Sequence, residues 1–124
     1  GLHARLLSSA GLRQVVASDA RPACLEPGGV GWYPVERRRV EVVEWAAWAS
    51  GDAVMLLSWP PRCSPAAAIA LEAFPGDLFV LVGDRGHWTG CDSFHAQLAE
   101  SWTEVWRREI LRWPRMEDDL RIYE

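Results

Sequence analysis

Lysine is absent from this chain. All 13 basic residues among its 124 are arginine, set against 17 acidic ones for a net charge of -4. That balance leaves no basic footprint of the kind nucleic-acid binding draws on. Cysteine is scarce: Cys24, Cys63 and Cys91 are an odd set with no CxxC spacing. This speaks against a disulfide framework and for reduced thiols in an intracellular compartment. No apolar run approaches the length of a membrane span and no signal peptide is visible, so the chain reads as soluble, with no membrane signal.

What is present is an ordinary globular balance, 49% hydrophobic and 24% charged, in a length that fits one domain over residues 1–124. The 8 tryptophans are a heavy load for so short a chain. Trp and Arg are the residue types that anchor interfaces, so a Trp- and Arg-rich surface engaging protein partners is one expectation; the plainer one is that most of these rings are core or rim.

The chain is organised around residues 53–61, AVMLLSWPP, an apolar run of strand length that ends in Ser58, Trp59, Pro60 and Pro61. A run without polar alternation suits a strand buried on both faces, and two prolines then stop it, because neither donates a ladder hydrogen bond. Side chains at the carboxyl end of such a strand face the crevice where open α/β sheets bind ligands.

Around it the spacing predicts a helix over 2–10 stopped by Gly11, then a strand over 12–18 running into Asp19. Residues 20–39 read as a loop rich in Pro and Gly, with Trp32 and Tyr33 packed down onto it and Arg37, Arg38 and Arg39 as a solvated run. Residues 40–45, VEVVEW, alternate at first as a strand does, while the following AAWAS suits a helix equally well, so the stretch is ambiguous. Ser64 and Pro65 open a helix over 66–74, and LFVLV at 78–82 is a second buried strand, parallel to the first. The loop GDRGHWTGCD at 83–92 follows, then a helix capped by Asp92 or Ser93 that carries Phe94, Leu98 and Trp102. Residues 103–111 and 120–123 read as two strands with no helix between them and so pair antiparallel. Glu117, Asp118 and Asp119 read as a solvated turn.

Taken in order, these elements resemble the later part of the class I S-adenosylmethionine-dependent methyltransferase fold, which finishes with an antiparallel strand pair. A narrower likeness, in the WPP, GDRGHWTG and LRWPRMEDDLRIYE segments, is to an uncharacterised group of methyltransferase-like proteins. The resemblance implies an α/β, three-layer Rossmann-like sheet, mostly parallel, with S-adenosylmethionine as cofactor. It makes Gly1 the last glycine of the cofactor loop and Asp19 the acid that binds the ribose, with Gly83 and Asp84 on the cofactor side. Ser58, Trp59, Pro60 and Pro61 occupy the place of the motif that positions the acceptor atom, although Trp59 intrudes in it. The plain alternatives are a turn-forming Asp19, a rigid strand terminator at Pro60 and Pro61, and an Asp84 that serves its turn.

The first strand and the glycines before Gly1 are missing from the pattern, so the expectation is that upstream residues or another chain supply them. A catalytically degenerate fold acting as a structural or assembly subunit is the alternative to an enzyme. His87, Cys91 and His95 are spaced four apart, which would suit zinc on a helix, but Gly86 and Gly90 weaken that helix and a fourth ligand is missing. No metal is expected.

Overall fold

A computed structural model of the chain describes residues 2–12, 14–20, 31, 33–49, 53–84, 88–112 and 114–124. The chain forms two compact units, Gly1–Val43 and Glu44–Glu124. Among the described residues there are three α-helices, a two-stranded parallel sheet and a four-stranded mixed sheet, an α/β architecture.

In the first unit, α1 (Leu2–Ser9) buries Ala4. It closes at Gly11, whose φ of 95° is a conformation that glycine adopts without penalty. The strand expected over 12–18 is reduced to β1 (Ser18–Asp19), which pairs in parallel with β2 (Glu36–Arg37). A β run needs a neighbour for each backbone group; among the described residues the ladder covers these two, with the Ala17 carbonyl accepting the Glu36 amide at 2.9 Å just before them, and Val16 is half-exposed. Upstream, the Val15 carbonyl accepts a 2.8 Å hydrogen bond from the Tyr33 hydroxyl, so Tyr33 does pack down. Trp32, Cys24 and the prolines and glycines of 21–30 lie outside the described residues. Arg38 pairs with Glu36 at 3.0 Å on an exposed surface, a contact that adds little stability. The ambiguous VEVVEW segment is neither strand nor α-helix: it forms one 3₁₀ turn at Val40–Val42, followed by a second at Trp45–Trp48.

The second unit is built on a four-stranded sheet in the order β3-β4-β6-β5. The apolar run forms β3 (Val54–Ser58), parallel to β4 (Leu78–Asp84), with Val54 opposite Leu78 and Ser58 opposite Val82. Between them runs α2 (Ala66–Ala73), whose Ala67, Ala70 and Leu71 are buried. Its cap position is Pro65, one residue later than expected, and the Ala66 amide donates to Ser64 Oγ at 3.2 Å. After β4 comes α3 (Asp92–Ser101), which buries Phe94 and Leu98. Its cap position is Cys91, so Asp92 and Ser93 sit in the first turn and not before it. The two last strands, β5 (Glu104–Glu109) and β6 (Asp118–Tyr123), pair antiparallel as expected. The hairpin folds back so that β6, not β5, lies against β4, also antiparallel.

The sheet has one dry face. Met55, Phe79, Leu81 and Tyr123 are buried on it, and Phe79 has no exposed surface. Tyr123 stacks on Phe79 at 4.8 Å, and Trp102 at the end of α3 meets the same ring edge-on at 4.7 Å. These offset and edge contacts are the arrangements that ring quadrupoles favour. The opposite face carries Leu56, Val80 and Ile122, all part-exposed, and Val54, half-exposed.

Candidate functional site

Parallel strands β3 and β4 end side by side, and the turn leaving β3 is bonded to β4 and to residues 89–90. The Trp59 amide donates to the Val82 carbonyl at 2.7 Å, so the ladder continues one residue past β3. Trp59 then adopts a φ of 50°. Left-handed backbone is unfavourable for a residue with a large side chain by about 1–2 kcal/mol, and it persists only where neighbours hold it. Here they do: the Pro60 carbonyl accepts the Gly90 amide at 2.8 Å, and Pro61 forms an isolated antiparallel bridge with Thr89. Ser58 is exposed at the strand end, Trp59 is half-buried, Pro60 is buried and Pro61 is exposed.

The second loop is fixed from below. Thr89 is fully buried, and its hydroxyl donates to the Asp84 carbonyl at 2.7 Å. Gly83 lies beneath it, where a Cβ would come 2.7 Å from Thr89 Cγ2. Gly90, with φ 73°, passes so close to Phe94 that any side chain there would strike the ring. His95 closes the turn through a 2.7 Å bond between its Nε2 and the Thr89 carbonyl, and its ring sits 5.4 Å from that of Phe94. At the rim, the Arg62 guanidinium stands 5.6 Å from the centre of the exposed Trp88 ring, a cation–π pair.

Of the acidic stretch at 117–119, Glu117 is exposed as expected, while the two aspartates depart from the expected solvated turn. Asp118 and Asp119 open β6 and are buried, because they face Asp84 and Gly83 of the central strand β4. Asp119 Oδ1 lies 2.6 Å from Arg121 Nε, so the buried charge has a counter-charge. Arg121 also donates to the Asp84 carbonyl at 3.3 Å. Asp84 Oδ2 accepts the Glu117 amide at 2.6 Å, which ties the strand end to the β5–β6 hairpin. Asp84 is thus a buried organiser of the loop.

The structure therefore brings together Ser58, Trp59, Pro60, Pro61, Gly83 and Asp84 at one end of one sheet. Asp19 sits exposed in the other compact unit, with its carbonyl accepting the Arg38 amide at 2.9 Å. Gly1 and His87 lie outside the described residues. Among the described residues, no group of three or more His, Cys, Asp or Glu is placed to hold a metal ion. Cys63 and Cys91 are free thiols. A hydrogen bond with Ser93, at 3.1 Å, outweighs burial and lowers the Cys91 thiol below its ordinary value.

Thr89, Arg121 and the Arg62–Trp88 pair were not singled out from the sequence. Only Gly90, one residue after Thr89, carried a signal of a close backbone approach there. No helix of the described chain is long and apolar enough to cross a membrane. The chain matches no protein-family model, no curated protein and no solved structure at a significant level.

Proposed function

We propose that the chain is a methyltransferase-like protein that uses S-adenosylmethionine, with the SWPP turn as its acceptor-side element. The observation that carries this reading is the left-handed Trp59 at the carboxyl end of a parallel strand, held on one side by the next strand and on the other by residues 89–90 that follow it. Strained backbone held at a sheet's carboxyl edge is where open α/β folds place their ligands. The antiparallel pair that ends the chain supports the same assignment, as does the parallel β3–α2–β4 unit before it. A full three-layer, Rossmann-like sheet belongs to this proposal.

S-adenosylmethionine, when bound, supplies an electrophilic methyl group. The residues' task is to hold an acceptor atom in line with it, which needs proximity and alignment more than a strong base. Ser58, exposed at the strand end, offers a hydroxyl to an acceptor amine or hydroxyl, and Trp59 offers a stacking surface. Pro60 and Pro61 make the turn stiff, so these groups keep their direction. Asp19 is exposed, as a carboxylate that receives two ribose hydroxyls must be before ligand binds.

A second reading, a degenerate fold serving as a structural subunit, draws on the exposed Trp106, Val105 and Leu111 around the edge strand. Calorimetric titration of S-adenosylhomocysteine into the native polypeptide separates the two. Saturable binding, weakened about tenfold or more by Asp19→Ala through the loss of charge-assisted hydrogen bonds, is expected of the first. Absence of binding by a demonstrably folded protein overturns it and leaves the structural reading.

A further inference from the structure

β3 is an edge strand. Residues Val54–Ser58 bond to β4 on one side, and among the described residues no backbone group bonds to them on the other. Which of their groups face outward follows from the end of the ladder. The Trp59 amide donates to the Val82 carbonyl, and in a parallel pair alternate residues turn both backbone groups towards one neighbour. Trp59, Leu57 and Met55 therefore bond to β4, while Val54, Leu56 and Ser58 point their N–H and C=O groups away from it. The register runs from Val54 opposite Leu78 to Ser58 opposite Val82 without a bulge.

An open edge is a template for another strand unless charges, a proline or a bulge guard it. β3 reads Val-Met-Leu-Leu-Ser and has none of these guards. It is the one described strand without a charged residue, whereas β5 at the other edge carries Glu104, Arg107, Arg108 and Glu109. An uncharged apolar edge is best complemented by another uncharged apolar edge, and every copy of this chain supplies one. We propose that β3 pairs antiparallel with β3 of a second copy of this chain, about a two-fold axis through Leu56.

This register sets Leu56 opposite its own copy and Val54 opposite Ser58 on either side of it. Every outward residue of each strand then exchanges both backbone bonds with an outward residue of the other. Met55 comes beside Leu57 of the second copy, which carries the dry face across the joint. Leu56 meets its copy on the opposite face, where Val54 is 50% exposed in one chain. The neighbouring registers are worse. An axis at Met55 or at Leu57 loses one of the facing pairs within the strand, and the axis at Leu57 sets Val54 opposite Pro60, which has no N–H to give. An axis between two residues turns outward groups against inward ones. A two-fold joint uses up this edge in both copies, so association stops at the dimer. The contact is of the small, exchangeable class, so the dimer depends on concentration.

Sedimentation velocity on the full chain, over a concentration series, reads the association directly. A monomer–dimer equilibrium is expected, weakened at least about tenfold by Leu56→Lys alone or Leu56→Glu alone, since each sets like charges face to face at the axis. An equimolar mixture of the two variants pairs lysine with glutamate there and is expected to recover the dimer. Circular dichroism and thermal melts confirm that each variant keeps the fold. Amide hydrogen exchange of the wild-type chain, resolved by residue with NMR, tests the same joint without a substitution. The Leu56 and Ser58 amides are expected to gain protection as concentration rises, while those of Met55 and Leu57 are protected throughout. A wild-type chain that stays monomeric overturns the proposal, as does protection of Leu56 and Ser58 that is independent of concentration, which would mean that the chain covers its own edge. So does a dimer in which those two amides exchange unprotected, a dimer indifferent to either charge in a folded variant, or a mixture of folded variants that stays monomeric.

Discussion

Gly83 and Thr89 touch so closely that a methyl group added to the glycine would lie 2.7 Å from Thr89 Cγ2. Thr89 cannot retreat, because it is fully buried and its hydroxyl is held by the Asp84 carbonyl at 2.7 Å. Gly83→Ala is therefore expected to destabilise the protein by about 1–3 kcal/mol through overpacking. Urea denaturation measures this, and Thr89→Ser, which removes the obstructing methyl, is expected to relieve part of the loss when combined with it.

Trp59 adopts a φ of 50°, where a Cβ is unfavourable whatever the rest of the side chain. Replacing it with Gly removes the backbone strain and replacing it with Ala does not, while both lose the indole. The Gly variant is expected to be more stable than the Ala variant by roughly 1 kcal/mol. Equal stability of the two would mean that the turn relaxes once the indole is gone.

Asp119 and Arg121 form a buried pair at 2.6 Å, with Asp119 fully enclosed. Removing either partner alone breaks a buried ion pair and is expected to destabilise by about 3–5 kcal/mol. The combined Asp119→Leu/Arg121→Met replacement is expected to cost clearly less than the sum of the single changes. A double-mutant cycle read by chemical denaturation checks the coupling.

Tyr123 has its phenol pushed above the ordinary value of 10.0, chiefly by burial, with the Arg121 charge opposing. The sign follows from linkage: the folded state prefers the neutral phenol. The resulting stability is full below the unfolded value and is lost as pH rises through the higher folded value. Tyr123→Phe is expected to change stability at neutral pH by no more than about 1 kcal/mol, since its 3.5 Å contact with Arg121 is long. It is expected to flatten the alkaline limb above pH 10, as followed by thermal melts across pH.

Cys91, its thiol lowered mainly by the Ser93 hydrogen bond, is expected to alkylate at a lower pH than an ordinary cysteine. Ser93→Ala shifts that profile upward. Peptide-resolved mass spectrometry after iodoacetamide treatment separates Cys91 from the other two cysteines, and an unchanged profile would remove the hydroxyl as the cause.

The elements legible in the sequence were those with a local or strongly apolar signal. Residues 54–58 and 78–84 are unbroken apolar runs closed by polar or Pro residues, and Ser64 with Pro65 marked the start of α2, so their form follows from solvation and short-range capping. That residues 58–61 and 83–84 follow or close two neighbouring parallel strands was legible for the same reason, since they end those runs. What failed depended on partners distant in sequence. Residues 14–16 carry strand-like composition, but the paired strand covers Ser18 and Asp19, with the Ala17 carbonyl bonded to Glu36 just before them. Asp118 and Asp119 look like a solvated turn until β6 is inserted beside β4, which buries them and recruits Arg121. Thr89 had no signal of its own, and became central only because the turn at Trp59 and Gly90 closes over it. Side-chain hydrophobicity and local backbone preference are properties of short segments and can be read from them. Burial of a charge and strain at a turn are set by which segments meet, and only the tertiary structure decided that.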